Sequence, residues 1–136
     1  MNPKRLRFQE VDKTSYRVYF RKASSFHDAM KSAYDSENWN AVGLGAVHCV
    51  ISAADALLCK KAGLRVVADN HMDLADALAK SIIAPGVEEN KKRVSKVIAK
   101  KNLIEYEARE FRRRDAEAIM IDADRFFTWA KEHLEA

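Results

Sequence analysis

The chain has 136 residues, 24 Lys and Arg against 20 Asp and Glu, and only four Gly and two Pro. That is one domain's length, enough to bury a core, and the scarcity of Gly and Pro beside abundant Ala, Leu, Lys, Arg and Glu points to an all-helical protein. Its two cysteines, Cys49 and Cys59, fall on one expected helix, roughly 15 Å apart in rise, which excludes a disulfide between them. The opening MNPKRLRFQE has no apolar stretch suited to a signal peptide, so a cytoplasmic protein with reduced thiols is expected. Charge is uneven: seven basic residues against two acidic ones in 1–22, and ten against three in 91–114. Two basic segments between acidic ones suit an anionic partner, although a solvated Lys-rich helix face gives the same pattern.

Residues 1–12 are basic and without period, and read as an arm. The first helix starts near Asp12 or Thr14 and runs to about Asp35, with Tyr16, Tyr19, Phe20, Ala23, Phe26, Met30, Ala33 and Tyr34 forming its core stripe. The second starts near Asn38 and stops before Gly63. Its residues 38–54, NWNAVGLGAVHCVISAA, carry no charge. The run is too short and too polar for a bilayer span, which takes about 20 apolar residues; it fits a helix at the centre of a bundle, apolar on nearly every side. Gly43 and Gly45 weaken that helix and imply close approach of another backbone, from a neighbouring helix or a second subunit. Four polar groups on it, His48, Ser52, Asp55 and Cys59, are spaced four, three and four, so they share one arc. They form either a site facing a groove or partner subunit, or groups satisfied internally.

A short third helix, capped by Asp69 or Asn70, carries Leu74, Ala77 and Leu78 inward. Pro85-Gly86 breaks the chain. A fourth helix spans about 88–109, burying Val94, Val97, Ile98, Leu103 and Ile104. After a turn at 111–114 the last helix, from about Asp115, buries Ala116, Ile119, Ala123, Phe126, Phe127, Ala130 and Leu134. The chain carries no strand signal and no internal repeat; the expected architecture is an up-and-down antiparallel bundle of about five helices in one domain. Neither Cys-x-x-Cys nor His-x-x-x-His occurs, so no metal site or cofactor is expected, and there is no Gly-rich phosphate loop or Gly-x-Ser-x-Gly elbow. Trp39 and Trp129 read as bundle-end packing, with base stacking as the alternative. Lys92, Arg93, Lys96 and Lys100, with Arg112, Arg113 and Arg114, form the candidate RNA-binding set, interrupted by Glu105, Glu107 and Glu110.

The order of these pieces is distinctive: an aromatic-striped helix, an Asn38-Trp39-Asn40-Ala41 opening into an Ala-rich helix, a Gly-containing loop, and a short helix opening with His71 and Asp73. Glu105-Tyr106-Glu107-Ala108-Arg109 and a last helix with Asp115-Ala116-Glu117 and Ala123 to Ala130 complete it. Over most of residues 15–134 this resembles the HEPN superfamily of prokaryotic helical bundles, through residues 39–58, 70–78, 101–109 and 115–129. The resemblance implies a homodimer that acts on RNA as a metal-independent endoribonuclease of toxin–antitoxin type. It equally admits a non-catalytic subunit that binds a nucleotide, or that pairs with a nucleotidyltransferase or antitoxin. Ribonuclease members use an Arg followed by a polar residue and then a His four to six positions on: Arg stabilises the phosphate, His moves the 2′-hydroxyl proton. Two spacings fit, Arg65 with His71 and Arg21 with His27. Arg21 and His27 fall about 120° apart on one helix, so Arg65 and His71, on a loop and an opening helical turn, are the candidate catalytic pair. Val66 follows Arg65 where the family favours a polar residue, and about one such spacing is expected by chance among 11 Arg and four His.

Overall fold

The computed structural model describes residues 7–67, 71 and 73–135. It is an all-α bundle of six helices among those residues: α1 (Tyr16–Asp35), α2 (Trp39–Ala62), α3 (Asp73–Ser81), α4 (Val87–Ala99), α5 (Lys101–Glu105) and α6 (Arg113–Glu135). The long helices alternate in direction. Tyr34 meets Trp39 edge-on at one end of the α1–α2 hairpin, with ring centroids 5.6 Å apart. The Lys60 ammonium lies 4.8 Å from the centre of the Tyr16 ring at the other end. Helix α6 runs antiparallel to α1, bonding Glu117 to the Tyr34 hydroxyl and Asp124 to His27. Lys60 donates to the Leu134 carbonyl, so the C-terminal ends of α2 and α6 lie together and its cation meets the negative pole of α6.

Helix α2 sits at the centre. Asn38 caps it by accepting from the Ala41 amide, and Gly63 ends it in the left-handed conformation at φ 65°. Fifteen of its residues are buried, distributed all round the helix. The helix extends beyond the charge-free run, so it is long and apolar enough to cross a membrane by length and composition, which corrects the expectation that it is too short. Yet 83% of its most apolar stretch is buried within the protein. Gly45 is where α1 comes closest: a Cβ there lies 3.0–3.1 Å from the Met30 backbone and Cβ. At Gly43 the approach is made by side chains instead, Ile104 and Phe111.

Three expectations need correction. Phe8–Glu10 is not a periodless arm but a strand (β1), paired antiparallel with Leu64–Val66 (β2) in the register Phe8↔Val66, Gln9↔Arg65 and Glu10↔Leu64. Bonds from the Val11 amide to Gly63 and from the Val67 amide to Arg7 extend the ladder at both ends. Asp12 then caps a single 3-10 turn, Lys13–Ser15, ahead of α1. Second, residues 88–109 do not form one helix. The chain breaks at Lys100, and 106–112 is irregular. A continuous helix places Leu103 about 180° around from Val94; the break lets both be buried, at 8% and 0% exposure. Third, α6 starts at Arg113 rather than Asp115, because the Asp115 carboxylate folds back to accept the Arg112 amide. The expected caps Asp69 and Asn70 lie outside the described residues. All seven inward residues of α6 are buried as the sequence predicts.

The two glycines separate in their tolerance. Gly45→Ala meets backbone that has no room to shift, and should lower stability by about 1–3 kcal/mol despite the propensity gain of about 1 kcal/mol. Gly43→Ala meets mainly the flexible end of Ile104 and should stay near wild type; urea midpoints of the two variants check the contrast.

Candidate functional site

Two features that are separate in the sequence meet in space. A cavity of about 260 Å³ is walled by Ile51 and Asp55 from α2, Arg65 to Val67 from β2 and its exit, Gln9 from β1, and His71 and Leu74 at the start of α3. The β1–β2 ladder positions Arg65, whose guanidinium also lies 5.6 Å from the centre of the Tyr19 ring, within cation–π range. His71 is fixed by the helix it precedes, its carbonyl accepting from the Leu74 amide. Asp55 is the one charged side chain on α2 before Lys60. Arg65 and His71 thus line one cavity together with one member of the polar stripe.

The rest of that stripe goes elsewhere. His48 packs on Phe26 with centroids 5.2 Å apart. Ser52 is buried, and the Cys59 thiol donates to the Asp12 carbonyl at 3.2 Å. Both thiols are free and buried. Burial, reinforced by Asp124, pushes Cys49 up to about 12; burial, with Asp12 and Asp55, also raises Cys59. Both shifts disfavour the thiolate, the nucleophilic form.

Asp55 is the exceptional group. It is 8% exposed and makes no hydrogen bond or ion pair among the described residues. No fully buried side-chain oxygen or nitrogen there is left unsatisfied, so its residual exposure lies at the carboxylate, on the cavity. Burial pushes its pKa up to about 6 against the opposing pull of Arg65 and Lys22. Burial also lowers His71, with Lys101, His48 and Arg65 adding to the effect and Glu105 opposing it. A neutral imidazole and a carboxyl with a strained charge therefore face one space, the combination expected of a functional site.

The other Arg–His spacing is structural. Arg21 is exposed, while His27 is buried, bonded to Asp124 at 2.6 Å and stacked on Phe127 at 4.3 Å. The Trp129 indole donates to the Pro85 carbonyl at 2.9 Å, and Trp39 packs between Tyr34 and Arg113 at the edge of a second cavity that Arg112 and Arg113 also line. None of the seven candidate RNA-binding residues lines the Arg65–His71 cavity. Arg93 pairs with Glu89, Arg112 with Glu110, and Arg113 with Glu37 and Glu117. Lys92, Lys96 and Lys100 are exposed along one edge of α4, and Arg114 is exposed at the start of α6. Among the described residues no group of three His, Cys, Asp or Glu is placed to hold a metal ion.

Gln9, Tyr19, Lys22, Lys101 and Glu105 complete the surroundings; the sequence marks none of them as a site residue, Tyr19 reading as core and Glu105 as an acid interrupting the basic set. Only the fold brings them together, and their spacing carries no signal. Comparison with protein-family models, curated proteins and solved structures found no match to this chain.

The sign of the Asp55 effect follows from its raised pKa. Ionising it in the folded state is disfavoured, so its contribution to stability falls as pH rises from about 4 to about 6 and is flat above. Asp55→Asn should stabilise the protein by about 1–3 kcal/mol at pH 7.5, with the difference vanishing near pH 4. Urea denaturation at the two pH values measures this.

Proposed function

We propose that this protein is a HEPN-like ribonuclease, with the cavity between α2, β2 and α3 as its metal-independent active site. The observation that carries the reading is that Arg65 and His71 line one cavity. Arg65 binds the scissile phosphate through its planar donors and stabilises the charge that builds on it. His71, held neutral by its surroundings, accepts the ribose 2′-hydroxyl proton as that oxygen attacks phosphorus; the P–O5′ bond breaks, leaving a 2′,3′-cyclic phosphate, and the departing 5′-oxygen takes up a proton from water. Val66, the apolar residue after Arg65, is explained by its place in β2: it packs against the core. Asp55 supplies from α2 the polar side chain that Val66 does not. In this reading the protein is a cytoplasmic homodimer, and the exposed edge of Lys92, Lys96 and Lys100 is the part of the basic set open to a longer RNA. The alternative is a non-catalytic subunit that binds a nucleotide, nucleotidyltransferase or antitoxin.

The test is cleavage of a mixed single-stranded RNA in EDTA. Wild type should cut, and Arg65→Ala and His71→Ala should each lose about 100-fold or more. The acidic limb of the rate profile should fall below the ordinary histidine value of 6.5, since the lowered His71 stays a base to lower pH. Equal cutting by both variants would sink the assignment. No cutting by wild type, with stoichiometric capture of a partner protein, would establish the binding-subunit reading instead.

A further inference from the structure

Asp55 senses the positive charge of Arg65 but forms no ion pair with it, and the cavity both residues line lies open to a ligand. A ligand that places hydrogen-bond donors at Asp55 and an anion at Arg65 completes both groups at once. Beside the polar Gln9 and His71, the cavity has apolar walls in Ile51 and Leu74 from the helices and Val66 and Val67 from the β2 segment, suited to the faces of a flat ring. The volume of about 260 Å³ lies just below the range of about 300–1,000 Å³ usual for drug-sized ligands, which suits one base rather than a stretch of chain.

The geometry points to a guanine-reading subsite, in which the Asp55 carboxylate accepts the N1–H and N2–H donors of a guanine base while Arg65 holds an attached phosphate. The donor pattern selects the base. A carboxylate presents two acceptors and no donor. Guanine alone offers two adjacent donors on its pairing edge. Adenine and cytosine each set an acceptor beside their amino donor, and uracil flanks its single donor with two acceptors. A buried carboxylate facing an acceptor is left unsatisfied and repelled, the situation in which polar sites discriminate most strongly. At neutral pH the group is ionised, since burial holds it near 6 and no higher.

This inference rests on the reading of the cavity as an RNA site, and its test does not depend on cleavage. The 3′-monophosphates of guanosine, adenosine, cytidine and uridine are titrated into the full chain at pH 7.5 by calorimetry, with wild type, Asp55→Asn and Arg65→Ala. Guanosine 3′-monophosphate should bind about ten-fold or more tighter than the other three to wild type. Asp55→Asn should remove that preference, weakening guanosine 3′-monophosphate while cytidine and adenosine 3′-monophosphates bind at least as well as to wild type, because the amide offers one donor and one acceptor. Arg65→Ala should weaken all four together. Equal affinity for the four, or a guanine preference that survives Asp55→Asn, overturns the proposal. Guanine selectivity in a protein that cuts no RNA supports the subsite while defeating the ribonuclease reading, and cutting without selectivity does the reverse.

Discussion

Helix α2 has almost no side to show to water. Between Val42 and Cys59 most of its side chains are packed against other parts of the chain, and the rest of the bundle is arranged to achieve that. Helix α1 closes on it at Gly45, α6 lies along it, and α3, α4 and α5 cover what remains. A polar group in such a helix has few exits. Cys59 finds a backbone carbonyl; Asp55 finds only the cavity. Holding a carboxylate there opposes folding, and the group is kept where a hydrophobic side chain of similar size would pack at less cost.

Much of the helical scaffold was legible because its signals are local and repeated. The i, i+3, i+4 pattern of α6 picks out its buried residues without exception, and Asn38, Gly63 and Pro85-Gly86 mark boundaries through backbone chemistry. The strands were not legible. Three residues on each side give no periodicity to read, and Phe8–Glu10 is exposed throughout, so its identity comes from its distant partner, Leu64–Val66. The break at Lys100 was hidden for a related reason. Val94 and Leu103 are both core residues, but only tertiary packing reveals that one straight helix fails to bury both.

The site was half legible. Asp55 was visible as part of a polar stripe, and Arg65 and His71 as a spaced pair, yet nothing in the sequence joined the two. Their meeting depends on the chain turning back along α2 after Gly63, which the β1–β2 ladder enforces. The basic set shows the opposite limit. Its composition was plain, but several of its cations are paired with neighbouring carboxylates, so a count of Lys and Arg overstates the field that reaches a ligand.

The ladder also makes the N-terminal segment part of the cavity wall. Gln9 stands opposite Arg65 in register and lines the same space. The strand that carries Arg65 is therefore held by a piece of chain that the bundle itself scarcely requires, since the first helix begins only at Tyr16. The Phe8–Glu10 strand contributes no residue to the hydrophobic core, yet it is what holds Arg65 in register. An intact bundle and an intact site are thus separable properties of this molecule, and a folded sample is no guarantee of the second.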